Sequence, residues 1–239
     1  MSEEIVRGAL YVVPTPIGNL EDITLRAIHV LKHVDVIAAE DTRTSKVLLD
    51  HYGIDRPLLS FFSHNEQVRV PQIIARLKEG ETVAIISDAG TPGISDPAHS
   101  IVVAAITEAI TIIPLPGPTA FVPALVASGF PTHAFVFEGF LPHKKGRQTR
   151  LKKLAAEERT IVLYESVHRI ERTLRDLLEH LGDRPVMIGR ELTKKFEQLI
   201  RGSLTSVLAG LPGMVLKGEF VLIVGGADSE RPDTDIDPH

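Results

Sequence analysis

Apolar positions along this chain follow two rhythms. Short runs rich in β-branched residues read as strands: Leu10 to Val13, Val34 to Ala38, Leu58 to Phe61, Thr82 to Ile86 and Ile110 to Pro114. Between them apolar residues recur every three to four positions, the spacing of one helix face. Ile23, Ala27, Val30 and Leu31 follow a cap at Asp22. Arg43 to Tyr52 ends at Gly53, Val68 to Lys78 ends at Gly80, and a further helix covers 98–109. This alternation predicts a parallel sheet with helices on both faces. The rigid stretch Pro114 to Pro118 then opens a helix of small and apolar residues that ends at Gly129. Beyond it come strands at Ala134 to Phe137, Thr160 to Tyr164, Val186 to Gly189, Glu197 to Ile200 and Phe220 to Val224, with fewer helices between them, such as Arg169 to His180. The expectation is an N-terminal α/β domain over 1–120, a C-terminal mixed α/β domain over 121–226, and an acidic, disordered tail over 227–239.

Composition narrows the chemistry. The 239 residues are 44% hydrophobic with a mean hydropathy of +0.11, which suits a well-packed soluble protein. No apolar run is long enough to span a membrane, and the N-terminus lacks a signal-peptide pattern, so the expected location is cytoplasmic. Cysteine is absent. Disulfides, thiolate metal sites and covalent thiolate catalysis are therefore excluded. The ten histidines are scattered without metal-ligand spacing, and no metal is expected. Net charge is −5, but unevenly placed: residues 1–120 hold nine basic and fifteen acidic side chains, residues 121–227 sixteen and eleven. A polyanion is expected to meet the second half.

The dinucleotide fingerprint, the phosphate loop and the nucleophile elbow are missing. What stands out are polar, Gly/Pro-rich loops after strands: Pro14 to Asn19, Glu40 to Arg43, Ser87 to Pro97 and Pro114 to Thr119. In open α/β sheets ligands bind at that edge. Asp22, Thr42, Ser95 and Thr119 can each be read as helix caps. Caps do not explain Glu40 beside Asp41, nor the two Ser-Asp pairs flanking Ala89-Gly90-Thr91-Pro92-Gly93. Glycine there lets a ligand touch main-chain groups directly.

PTPIGNLEDIT, AAEDTR, SDAGTPGISDP, PLPGPTA, GFLP, YESVHR and RELTK, in this order, resemble the tetrapyrrole-methylase superfamily of class III S-adenosylmethionine-dependent methyltransferases. Within it they are most similar to the branch that methylates ribose 2′-hydroxyls of small-subunit ribosomal RNA. The resemblance implies two α/β domains with S-adenosylmethionine in the cleft between them, a homodimer, and the assembled small ribosomal subunit as partner, with a cytidine as the target. The superfamily's Gly-Asp-Pro cofactor turn falls on Gly90-Thr91-Pro92. Pro16, Ala89, Gly90, Thr91, Ile94, Thr119, Ala120, Tyr164, Glu165 and Leu192 fall on cofactor-lining positions. Relatives of this type often carry a further small helical domain beyond the point where this chain ends.

Methyl transfer needs the acceptor oxygen aligned behind the methyl group, and a ribose hydroxyl gains from a nearby base. Asp88 and Glu165 are the candidates, because each follows directly from a buried strand. Arg43, Arg169, Arg190 and Lys194 are candidate phosphate contacts. His143 to Lys153 has no acid between Gly139 and Ala156, so Lys144, Lys145, Arg147 and Arg150 read as a phosphate clamp. Two alternatives stay open: a methyltransferase for a tetrapyrrole or another small molecule on the same fold, and a cofactor-binding RNA chaperone without turnover.

Overall fold

The computed structural model describes residues 4–213 and 217–229. The chain divides into two compact units, 1–119 and 120–239.

In unit 1 five strands alternate with four helices. The order is β1 (Leu10–Val12), α1 (Leu25–His33), β2 (Val36–Ala39), α2 (Thr42–His51), β3 (Leu58–Ser60), α3 (Glu66–Lys78), β4 (Val83–Ile86), α4 (His99–Thr107) and β5 (Ile112–Pro114). The sheet runs β3-β2-β4-β1-β5, every pair parallel. Strand residues alternate between two cores. Tyr11, Ile37, Ala39 and Ala84 pack with α1 and α2, whereas Leu10, Val36, Ala38 and Val83 pack with α3 and α4. Period two along each strand thus gives each face its own helical layer.

The first helix starts later than its pattern predicts. Asp22 lies in a 3₁₀ turn over Leu20–Asp22, capped by Asn19. Thr24 caps α1, its hydroxyl accepting the Ala27 amide at 3.0 Å. Nor do Thr42, Ser95 and Thr119 cap helices. Asp41 caps α2, Ser95 holds a left-handed φ of 67°, and the Thr119 hydroxyl is used elsewhere. Local spacing located the helices, while competition among neighbouring short polar side chains set the caps.

Unit 2 is mixed. It contains α5 (Phe121–Ser128), β6 (Phe135–Phe140), α6 (Arg147–Leu154), β7 (Thr160–Ser166), α7 (Ile170–Leu181), β8 (Pro185–Arg190), β9 (Gln198–Ser203), α8 (Leu204–Gly210) and β10 (Glu219–Val224). The sheet order is β6-β7-β10-β8-β9; β6 and β7 are parallel, the remaining pairs antiparallel. Ile161, Leu163, Ile188 and Leu222 pack with α6, α7 and α8, and α5 lies against β10, β7 and β8. The sequence reading placed no helix in the basic run, where α6 forms, and it also missed α8. Its signal is a capping box, in which the Ser203 hydroxyl accepts the Ser206 amide and Ser206 returns the bond. Of the expected acidic tail, Ala227 is tied by its amide to the Glu157 carbonyl at 2.8 Å. Residues 230–239 lie outside the described residues. No helix among the described residues is long and apolar enough to cross a membrane. No group of three or more His, Asp or Glu among them could hold a metal.

Candidate active site

The C-terminal edge of the unit 1 sheet is stitched into one surface. Strand order makes this possible: β4 lies between β2 and β1, and β1 between β4 and β5, so the loops leaving these four strands are neighbours. Thr15 and Gly90 exchange both main-chain bonds at 2.9 Å. The Thr15 hydroxyl donates to the Ser87 carbonyl at 2.9 Å, and Ser87 Oγ donates to Gly90 O at 3.1 Å. Thr91 Oγ1 donates to Pro118 O at 2.9 Å and lies 2.6 Å from Thr119 Oγ1. The Asp41 amide donates to Asp88 Oδ1 at 2.9 Å.

Two glycines permit this closeness. A Cβ on Gly117 would lie 2.6 Å from Pro14 Cβ. Gly90 holds φ 86°, and a Cβ there would come to 3.4 Å from Ile17 Cγ2. Pro16 and Gly90 are buried, Thr91, Ile94 and Thr119 half-buried, and Ala89 exposed. Sequence reasoning had no signal for the role of Thr15, whose hydroxyl acts across the sheet on the Ser87 carbonyl.

The acids on this edge differ from one another. The Arg43 fork on Asp41, at 3.1 and 2.7 Å, holds the Asp41 carboxyl down to about 2. Desolvation raises Asp88 even though its side chain still meets solvent; the Asp41 amide offsets part of that rise and the Asp41 charge adds to it. Desolvation and then the Asp88 charge raise Glu40. Asp88 and Glu40 therefore hold their protons more tightly than ordinary carboxylates.

In unit 2 the expected site residues separate. Tyr164 and Glu165 are adjacent on β7 and so face opposite sides of the sheet. Tyr164 lies with Phe137 and Phe140, ring centroids 5.2 and 5.7 Å away, and its hydroxyl accepts the Phe121 amide at 3.2 Å. Ala120 stands at the N-cap of α5. Leu192 is packed against Gly189, in a turn where Glu191 and Thr193 hold φ of 50° and 67°.

Glu165 is only 1% exposed. Its Oε1 accepts Arg169 Nε at 2.8 Å and the Ser166 amide at 2.8 Å, and its Oε2 accepts Thr173 Oγ1 at 2.6 Å. The expectation that Glu165 serves as base is thereby corrected: its carboxylate is saturated on the α7 side of the sheet, which leaves only its main chain for the cofactor position that the resemblance gives it. Strand parity in YES could have revealed this.

The basic candidates also sort. Arg147 is 2% exposed, with Nε on Asp176 Oδ2 at 2.7 Å and Nη2 on Thr173 Oγ1 at 2.9 Å. Arg190 is 5% exposed and bonds Lys217 O and Gln198 Oε1, both at 2.9 Å. Neither can reach a phosphate, so both expectations are corrected. Arg169 is largely buried with Glu165. Lys194 bridges Glu191 and Glu219, and Arg150 pairs with Glu138 at 3.0 Å. Arg43 is exposed though paired with Asp41. Lys144 and Lys145 are exposed, and no ion pair among the described residues involves either. Thr173 and Asp176 were missed. Their signal is a polar residue, Thr173, on the buried face of α7 otherwise formed by Ile170, Leu174 and Leu177.

The model of the Tetrapyrrole (Corrin/Porphyrin) Methylases matches residues 9–208, and this chain belongs to that family, a family of S-adenosylmethionine-dependent methyltransferases. Among curated relatives, Ribosomal RNA small subunit methyltransferase I of Halalkalibacterium halodurans is 50% identical over 92% of this chain and 76% of its own. The protein of the same name from Thermotoga maritima is 47% identical over 92% of this chain and 100% of its own. The Escherichia coli O157:H7 protein of that name is 46% identical, covering 97% and 82%. Among solved structures, the methyltransferase CobJ superposes with a TM-score of 0.69 at 21% identity, covering 94% of this chain and 96% of that one. The uroporphyrin-III C-methyltransferase of Thermus thermophilus, complexed with S-adenyl homocysteine, superposes with a TM-score of 0.63 at 19% identity, covering 91% and 97%. These two likenesses show the shared fold.

The residues of the unit 1 edge fit the family's methyl donor. Bare main chain at Gly90 leaves a space that a Cβ would fill, and the carboxylates of Asp88 and Glu40 favour a sulfonium cation.

Proposed function

We propose that this protein transfers a methyl group to a ribose 2′-hydroxyl of small-subunit ribosomal RNA. The observation that carries the reading is identity of 46–50% over at least 92% of the chain to proteins named for that RNA, against 19% and 22% to a cobalamin biosynthetic enzyme and a uroporphyrin-III C-methyltransferase of the same fold. The resemblance points further, to a cytidine, to a cytoplasmic enzyme acting on the assembled subunit, and to a homodimer. Val122 and Val126, exposed on α5, supply apolar surface for a second copy, and light scattering at micromolar concentration, expected to give twice the chain mass, tests it.

When bound, S-adenosylmethionine supplies an electrophilic methyl group on sulfur. The chain's residues do the rest. Pro16, Ala89 to Thr91, Ile94 and Thr119 form the holding surface in unit 1. Asp88, oriented by the Asp41 amide, takes the proton from the 2′-hydroxyl as the new bond forms. Desolvation, with the Asp41 charge adding to it, keeps the Asp88 carboxyl basic. Lys144 and Lys145, with Arg43, meet phosphates.

The test is transfer of labelled methyl from S-adenosylmethionine to small subunits taken from a strain lacking the modification, beside uroporphyrinogen III. Label on a ribose of the subunit RNA is expected. Label on uroporphyrinogen alone, or on a base, overturns the reading.

A further inference from the structure

The loop between β6 and α6 carries His143, Lys144 and Lys145, all exposed. Beneath it lies a buried set of charges that the proposed chemistry does not use. Arg169 Nη1 donates to the Leu141 carbonyl at 3.0 Å, and Arg147 Nη1 to the Pro142 carbonyl at 3.3 Å. Each guanidinium is fixed by a carboxylate on a rigid element: Arg169 by Glu165 of β7, Arg147 by Asp176 of α7. The Thr173 hydroxyl joins the two pairs, accepting from Arg147 and donating to Glu165. Glu165 and Thr173 are each 1% exposed and Arg147 2%.

Burying two ion pairs is a poor route to stability, because the desolvation cost offsets most of the attraction and apolar groups of similar volume do as well. What the arrangement does provide is direction. Its forked donors reach the main chain at the root of the basic loop, at two successive carbonyls. A loop held in place before binding need not lose its freedom on contact.

We infer that Arg147, Arg169, Glu165, Thr173 and Asp176 form a positioning device that presets loop 141–146, so that Lys144 and Lys145 meet RNA phosphates in a fixed geometry. Arg147 and Arg169 thus serve RNA through the main chain and not by touching it. This rests on the RNA reading above.

The experiment uses the full chain and small ribosomal subunits lacking the modification. Thr173→Val removes both hydroxyl bonds. It is expected to raise KM for subunits about tenfold, the scale of a lost hydrogen bond to a charged group, with kcat and S-adenosylmethionine affinity within about twofold. The slope of log affinity against log salt stays, since both lysines remain. Thr173→Ser restores KM. Lys144→Ala with Lys145→Ala instead flattens that slope by about two units on duplex-like RNA. If the lysine pair matters while Thr173→Val binds subunits like the parent, the positioning device is overturned and the RNA reading stands. If the lysine pair changes neither affinity nor slope, the RNA reading of this loop is overturned. Hydrogen exchange of the parent protein is a check independent of folding in the variants. The Arg147 amide, which donates to the Lys144 carbonyl and closes the loop, is expected to be protected without RNA, and exchange there as fast as in an unstructured peptide overturns the proposal.

Discussion

The polar edge of unit 1 and the polar interior of unit 2 are held in opposite ways. In unit 1 the groups at the strand ends are joined by main chain and hydroxyls, Thr15 with Gly90 and Thr91 with Pro118 and Thr119, and the acids Asp88 and Glu40 keep raised proton affinity. In unit 2 charged side chains are buried and neutralised against each other, as in Glu165 with Arg169 and Arg147 with Asp176. A neutral stitched edge leaves its carboxylates available for chemistry. A saturated network gives up reactivity and gains fixed geometry.

Four substitutions sharpen that contrast. Glu165→Ala strikes hardest on stability, because Arg169 is left buried without its carboxylate. A loss of about 3–5 kcal/mol is expected on chemical denaturation, and a much smaller loss would mean the network is wetter than its geometry implies. Asp88→Asn acts on the rate, lowering methyl transfer by about 10²–10⁴-fold. Its pH behaviour has a definite sign. The folded carboxyl binds its proton more tightly than the unfolded one, whose ordinary value is 3.8, so between the two values stability falls as pH rises. The parent rate falls on acidification through a pKa above that ordinary value. Asn at this position removes both effects and leaves the protein slightly more stable at neutral pH, as melting curves across pH will read out.

Gly117→Ala tests the closeness of the stitched loops. The added methyl meets the Pro14 ring, and overpacking of this kind costs about 1–3 kcal/mol. Calorimetry is expected to show weaker S-adenosylmethionine binding alongside the lower melting temperature. Thr91→Val is the mildest, at about 1 kcal/mol for the bonds to Pro118 and Thr119. If Thr91→Val abolishes cofactor binding without lowering stability, the hydroxyl belongs to the ligand more than to the fold.

Much of this was legible in the sequence. The two apolar rhythms placed the strands and all the helices but α6 and α8, because burial on one face of a strand or helix leaves a period in the chain. The strand-end loops marked the polar edge, because glycine, proline and acids collect where regular structure stops and a ligand can approach. The resemblance carried by SDAGTPGISDP and its companions named the family. The tertiary structure decided which polar residues are available. Asp88 and Glu165 look alike in sequence, each following a strand, yet one stands at an open sheet edge and the other points beneath α7. Arg147 and Lys145 sit in the same basic run, yet one is buried on Asp176 and the other meets solvent. The reason is physical. A local pattern records how often a chain turns its apolar side inward, but a charge is spent or free according to partners far along the chain, such as Thr173 and Asp176 for Arg147, and only folding brings them together.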